Sequence, residues 1–177
     1  MSQPFEYPAL DPLAGLPADR APLTEEKAAD GKALLNPPSD KLSPWYSNCV
    51  EVIDESNNAF DLHIYYNQNS PGQLAHARAL HERIRREFPE LRVYKFWEVP
   101  VGPHPVAMFE VNTFTPAQLG AIMGFLVAYR GGLSVLIHPN TDDEYRDHTE
   151  RATWMGQPYP LNVSFLRKDK GRFTNTQ

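Results

Sequence analysis

Phe60-Asp61-Leu62-His63-Ile64-Tyr65-Tyr66, followed by Ser70-Pro71-Gly72-Gln73, is the stretch that decides the fold. The first part alternates and is rich in aromatic and β-branched residues, so it reads as a strand. The second part opens a helix. Ser70 can cap, Pro71 suits the first helical position, and Gln73 completes a capping box. Leu74, Ala77, Leu80, Ile84 and Phe88 then mark one face at helical spacing, and Pro89 stops the helix.

Outward from this unit the same punctuation returns. Leu91 to Val99 reads as a second strand, Gly102-Pro103-His104-Pro105 as a turn, and Val106 to Asn112 as a third strand. Thr115-Pro116-Ala117-Gln118 repeats the helix opening. Leu119, Ile122, Met123, Leu126 and Tyr129 form the apolar stripe, and Gly131-Gly132 ends the helix. Leu133 to His138 is the fourth strand. Thr141 to Glu144 is a third capping box, predicting a helix through about Thr153, and Leu161 to Leu166 is expected to add a short last strand. The order β-α-β-β-α-β predicts an α+β, ferredoxin-like antiparallel sheet with both helices on one face, plus a C-terminal helix and strand. The spatial strand order would be fourth, first, third, second.

The chain has 177 residues, enough for one domain with an extension. Residues 1–58 are expected to form a proline-rich arm, carrying Pro4, Pro8, Pro12, Pro17, Pro22, Pro37, Pro38 and Pro44, with one short helix over Thr24 to Leu35 and an aromatic anchor at Trp45-Tyr46. Residues 59–177 would then be the ferredoxin-like domain. The net charge of -5, with both signs interspersed, argues against nucleic acid or an anionic membrane as partner. Cys49 is the only cysteine, which excludes an intrachain disulfide and a thiolate metal cluster. No apolar stretch reaches the ~20 residues of a membrane span. With no basic-then-apolar start either, the expectation is a soluble cytoplasmic protein.

Strand parity sorts the side chains. Leu62, Ile64 and Tyr66, Ala107, Phe109 and Val111, and Leu133, Val135 and Ile137 suit the helix-covered face. That leaves Asp61, His63 and Tyr65, Val106, Met108 and Glu110, and Ser134, Leu136 and His138 on the open face. Strand direction then brings His63, Glu110 and His138 to one end of that face. Two imidazoles and a carboxylate are the ligand types of the facial triad that holds Fe(II) with open positions. Plainer roles exist for each: a hydrogen-bonded sheet histidine, a solvated strand carboxylate, and a cap at a strand end. His104 is either a turn residue or reaches the site if its turn folds over the sheet. His148 shares a helix face with Glu144 and Arg151, and solvation alone explains such a face. His81 is expected to pack and His76 to be exposed. Cys49 has no basic partner nearby in sequence, so a nucleophilic role is not expected. No phosphate-cradling glycine loop and no Gly-x-Ser-x-Gly elbow occurs.

Three segments carry a resemblance: Leu62-His63-Ile64-Tyr65-Tyr66; Gly102-Pro103-His104-Pro105 with Met108-Phe109-Glu110-Val111; and Val135-Leu136-Ile137-His138-Pro139-Asn140-Thr141 through Asp147-His148-Thr149-Glu150-Arg151-Ala152. Over about Phe60 to Gly156 the chain resembles the DOPA 4,5-dioxygenase family of fungi and bacteria. The family often shows His-x-His in the first strand, where this chain has Asp61-Leu62-His63. The resemblance implies extradiol cleavage of a small aromatic diol by O2 at Fe(II), with zinc or another divalent ion as an alternative occupant. For DOPA the cleaved product would cyclise to betalamic acid. It further implies an acid/base histidine, His148 or His104, and substrate-orienting roles for Tyr65 and Arg151, the latter through a carboxylate. Two other classes compete. One is a non-catalytic metal or small-ligand module that pairs through its open sheet face as a homodimer. The other is a purely structural oligomerisation domain.

Overall fold

The computed structural model of the chain describes Leu13 and residues 16–47, 58–141 and 143–166. Cys49 lies outside them. By internal contacts the chain divides between Leu42 and Ser43. In the first unit the helix expected over Thr24 to Leu35 is replaced by a turn and a bridge from Lys27 to Leu34. The cause is local. The Asp30 carboxylate accepts from the N–H groups of Lys32 (2.8 Å) and Ala33 (2.9 Å), and Gly31 takes φ +68°. A side chain that bonds its own backbone in this way competes with helix formation. In the second unit Trp45 and Tyr46 sit in a short 3-10 turn and are 64% and 70% exposed, so neither ring is buried.

The second unit holds the sheet. Its elements are β1 (Phe60–Tyr66), α1 (Pro71–Glu87), β2 (Arg92–Val93), β3 (Ala107–Thr113), α2 (Pro116–Tyr129), β4 (Ser134–Pro139), α3 (Glu144–His148) and β5 (Thr153–Met155). The strands pair antiparallel in the order β2-β3-β1-β4-β5. This is the expected α+β arrangement with one strand added beside β4. Both helix openings form as the sequence dictates: Ser70 accepts from the Gln73 N–H and Thr115 from the Gln118 N–H, with proline in the first turn. The face assignment holds as well. Leu62, Ile64, Tyr66, Ala107, Phe109, Val111, Val135 and Ile137 join Ala77, Leu80, Ile84, Ile122 and Leu126 of the helices in one buried core. Ile64 is fully buried at its centre, so Ile64→Ala is expected to cost about 2–5 kcal/mol, measured as a fall in denaturant midpoint.

Three departures shape the site. The second strand, expected from Leu91 to Val99, keeps only Arg92–Val93 in the ladder. Tyr94 N–H donates to the Glu110 carbonyl and Trp97 N–H to the Met108 carbonyl, so three residues advance against two. That extra residue is a bulge, which reverses parity beyond it. Phe96 thereby packs in the helix-side core and Trp97 on the open face. The helix expected through Thr153 ends at His148, and its N-cap is Asp143 rather than Thr141. The Thr149 hydroxyl donates to the Tyr145 carbonyl at 2.6 Å, the chain turns, and Thr153–Met155 takes the free edge of β4. The strand expected over Leu161 to Leu166 is instead a 3-10 turn at Val163–Leu166.

These departures cover the open face. Tyr65, Met108 and Leu136 on the sheet pack with Trp154 and Trp97, the cross-strand neighbours of Leu136 and Met108, and with Val101, Val106, Tyr159 and Leu161. What the sequence reads as an open surface is the floor of an enclosed site.

Candidate metal centre

His63 stands at the middle of this floor. The antiparallel register sets it directly opposite Glu110 on β3, while Asp61 faces His138 on β4. The Nε2 atoms of His63 and His138 are 3.0 Å apart. His104 arrives from the turn before β3, its ring centroid 4.3 Å from that of His63. His148, at the end of α3, lies 3.9 Å from His138 and 5.9 Å from His63 by ring centroids. The structure therefore gathers His63, His138, His104 and His148. The Gly102-Pro103-His104-Pro105 turn folds over the sheet, and His104 is 6% exposed.

The other ring nitrogens show how these imidazoles are held. His138 Nδ1–H donates to its neighbour's carbonyl at Pro139 (2.7 Å), and His148 Nδ1–H donates to the Glu144 carbonyl (2.9 Å). A carbonyl only accepts, so in the neutral rings both Nε2 atoms carry lone pairs. The Tyr65 hydroxyl is 2.6 Å from His104 Nδ1. Burial pushes the Tyr65 phenol up, which keeps it protonated. A protonated phenol can donate to Nδ1 or accept from it; in the donor arrangement the His104 proton sits on Nε2. Stacking of Tyr65 on Trp154 and its packing against Tyr159 fix the ring. Of the four Nδ1 atoms, only that of His63 has no hydrogen-bond partner.

Charge follows burial. Burial, reinforced by His104, His138 and His148, holds His63 well below the ordinary histidine value. Burial and the neighbouring rings lower His104 to about 3 and His148 to about 4. Burial also lowers His138, opposed by its bond to Pro139. Four neutral imidazoles are the protonation state a divalent ion requires. Beside them are two buried acids. Burial pushes Glu110 up to about 7, aided by Asp61 and opposed by Asn112. Burial pushes Asp61 up to about 6, opposed by Asn58. The Asn112 amide braces both, donating to Asp61 (2.5 Å) and Glu110 (2.7 Å).

These residues fit a metal ion. Two sets of side chains have ligand atoms mutually within 4.8 Å, one of His63, His104 and His148, the other of Asp61, His63 and His138. His63 belongs to both and Glu110 to neither. The close pair of Nε2 atoms, one on each of two neighbouring strands, is the arrangement two rings would take around a shared ion. Nitrogens at right angles and about 2.1 Å from one ion would sit about 3 Å apart.

Arg151, expected to orient substrate, is engaged within the chain. Its Nη1 donates to Asp147 (2.8 Å) and Thr141 (2.7 Å). Asp147, 2% exposed, also accepts from the Thr141 N–H at 2.8 Å. This triad ties α3 to the end of β4 and so carries His148 into the site. Sequence reasoning did not single out Asn112, Asp147 or the Trp97, Trp154 and Tyr159 cover. Parity could have placed Asn112 beside Glu110, but nothing in the spacing announces the cover.

A pH dependence follows for the metal-free protein. The four rings bind protons in the unfolded chain near 6.5 but only at lower pH when folded. The two acids do the reverse, holding protons in the folded state to about 6 and 7. Near pH 5 the histidines outnumber the acids, so unfolding takes up protons and stability falls as pH falls. The urea midpoint is expected to be lower at pH 5 than at pH 7.

An α+β sheet with a buried four-histidine cluster defines the class. The chain belongs to the Dopa 4,5-dioxygenase family, whose profile matches residues 60–165 and so spans every site residue above. It is 33% identical to the DOPA 4,5-dioxygenase of Amanita muscaria over 65% of this chain and 52% of that protein. It is 51% identical to an uncharacterized 21.2 kDa protein of Botryotinia fuckeliana, over 96% of this chain and 97% of that one. Among solved structures it is similar to a "putative dioxygenase" from Nostoc punctiforme. The two are 31% identical with a TM-score of 0.52, over 63% of this chain and 92% of the other. Family and relatives support an oxygenase-type function. Among the described residues no helix is long and apolar enough to cross a membrane.

Proposed function

We propose that the protein cleaves the ring of a small aromatic diol, DOPA or a related catechol, with O2 at a single Fe(II) ion, adding both oxygen atoms to give a ring-opened semialdehyde acid. The observation that carries this reading is the gathering of four buried, neutral imidazoles, with the Nε2 atoms of His63 and His138 3.0 Å apart and the Nδ1 atoms of His138 and His148 held from behind by backbone carbonyls. His63, His138 and His148 would hold the ion through Nε2. His148 thus takes the third place, for which the strand pattern alone offers Glu110. The iron would supply a common site for the diol oxygens and O2 and pass electron density between them.

The remaining residues have their own work. His104, with Tyr65 fixing its tautomer, presents Nε2–H to the cluster and is the proton donor we assign. Trp97, Trp154 and Tyr159 wall the site with apolar surface that excludes bulk water and suits an aromatic ring. Arg151 holds α3 through Asp147, and a substrate carboxylate would have to compete with that pair. The covered sheet face argues against sheet-to-sheet pairing, so a homodimer would use another surface.

The test is anaerobic loading with Fe(II), then a panel of catechols, then O2. Appearance of a yellow ring-opened chromophore supports the reading. A loaded protein that leaves every catechol intact contradicts it. Tyr65→Phe should keep metal binding, lower turnover about 100-fold, and shift the acidic limb of the pH–rate profile, because His104 loses its fixed tautomer.

A further inference from the structure

We propose that Glu110 is a positioning residue: its carboxylate accepts the Nδ1–H of His63 when Nε2 of that ring holds the metal, and it does not touch the ion. The proposal rests on the metal reading above.

The geometry is specific. Of the four rings, three have Nδ1 engaged, by the Pro139 carbonyl, the Glu144 carbonyl and the Tyr65 hydroxyl. His63 Nδ1 is buried and has no hydrogen-bond partner. Glu110 Oε2 lies 3.9 Å from it, across a register pair that sets the two residues face to face. The other carboxylate oxygen is already fixed by Asn112 Nδ2 at 2.7 Å, and the same amide is braced on Asp61. A small turn of the Glu110 carboxylate closes the gap of about 1 Å to an ordinary charge-assisted hydrogen bond.

The tautomer decides the direction. Without an ion, His138 Nε2 carries a lone pair, so the contact at 3.0 Å needs the His63 proton on Nε2. That leaves a lone pair on His63 Nδ1 facing a carboxylate. With an ion on Nε2 the proton must move to Nδ1, and Glu110 becomes its acceptor. Metal-ligating histidines almost always donate their second N–H to such a group, which orients the ring and raises its basicity. Asn112 serves as the brace that keeps Glu110 aimed.

The test uses the full chain loaded with Zn(II), a diamagnetic probe. Chelator competition measures affinity, and nitrogen-detected NMR of labelled histidine reads the His63 Nδ1–H. Glu110→Ala is expected to keep one ion per chain but to weaken binding roughly 10–100-fold. It should also move the His63 Nδ1–H resonance from its hydrogen-bonded position. Glu110→Gln, whose amide oxygen still accepts, should fall between wild type and Glu110→Ala and guards against a folding defect. Loss of the ion in both Glu110 variants, as complete as in His63→Ala, would make Glu110 a ligand and overturn the proposal. Unchanged affinity with an unchanged resonance would overturn it too, while leaving the metal site in place. A wild-type chain that binds no Zn(II) or Fe(II) would overturn both this proposal and the reading beneath it.

Discussion

His63→Ala and His138→Ala are each expected to abolish ring cleavage and to weaken metal binding by well over about 100-fold, beyond the range for losing a group behind a ligand. The two residues are 75 positions apart in sequence, yet their Nε2 atoms are 3.0 Å apart because β1 and β4 are neighbours. Removing either ring takes away one of the ligands assigned to the ion. Each replacement also empties a buried ring position, so a loss of a few kcal/mol of stability is expected beside the loss of metal, as for Ile64→Ala. Metal content per chain and turnover on the same preparations check this. Activity that survives in both variants would remove the proposed site.

Asp147→Ala is expected to destabilise the protein by about 3 kcal/mol, because it removes a buried carboxylate that accepts from Arg151 Nη1, the Thr141 N–H and the Thr141 hydroxyl. For a domain of this size that is a fall in Tm of roughly 6–12 °C. The effect should reach the site, because α3 is only five residues long and relies on this triad to stay on the end of β4. His148 is the residue displaced, so the variant should also bind metal more weakly. Asp147→Asn, which still offers an oxygen to the Thr141 N–H, should lose less. Thermal denaturation of the metal-free chains, followed by metal titration, separates the two contributions.

How much of this was legible in the sequence depends on the range of the interaction. Two-residue periodicity sorts β1, β3 and β4 correctly because one face of each strand meets the helices, and a slip of one residue would expose the core. The same parity places Asp61, His63, Glu110 and His138 on one floor. The strand order follows from the connection lengths and puts His63 between Glu110 and His138. Beyond the regular elements the reading fails. The bulge before Trp97 leaves no mark in composition. The end of α3 at His148 depends on a threonine hydroxyl and on a free strand edge that recruits Thr153–Met155. Side-chain ties such as the Arg151–Asp147–Thr141 triad and the Val101–His104 turn, which periodicity does not encode, bring His148 and His104 over the floor. The helix expected over Thr24 to Leu35 fails for the opposite reason, since a single Asp30 side chain outbids helix formation locally.

The family likeness and the geometry meet at Asp61. Where the resemblance leads one to expect a histidine, this chain has a carboxyl raised to about 6 by burial and held by Asn58 and Asn112. Asp61→His would add a fifth imidazole beside His138, and Asp61→Asn would remove the charge while keeping the shape. If Asp61 tunes the ion, both variants should change the metal affinity, with Asp61→Asn giving the weaker binder.

The most direct test of the central claim is the mass of the product formed by the Fe(II)-loaded protein from a catechol under isotope-labelled dioxygen. The account predicts a ring-opened semialdehyde acid whose new carboxylate carries label. Catechol recovered unchanged, or converted to an unlabelled quinone, by protein that holds iron on His63 and His138 would contradict it.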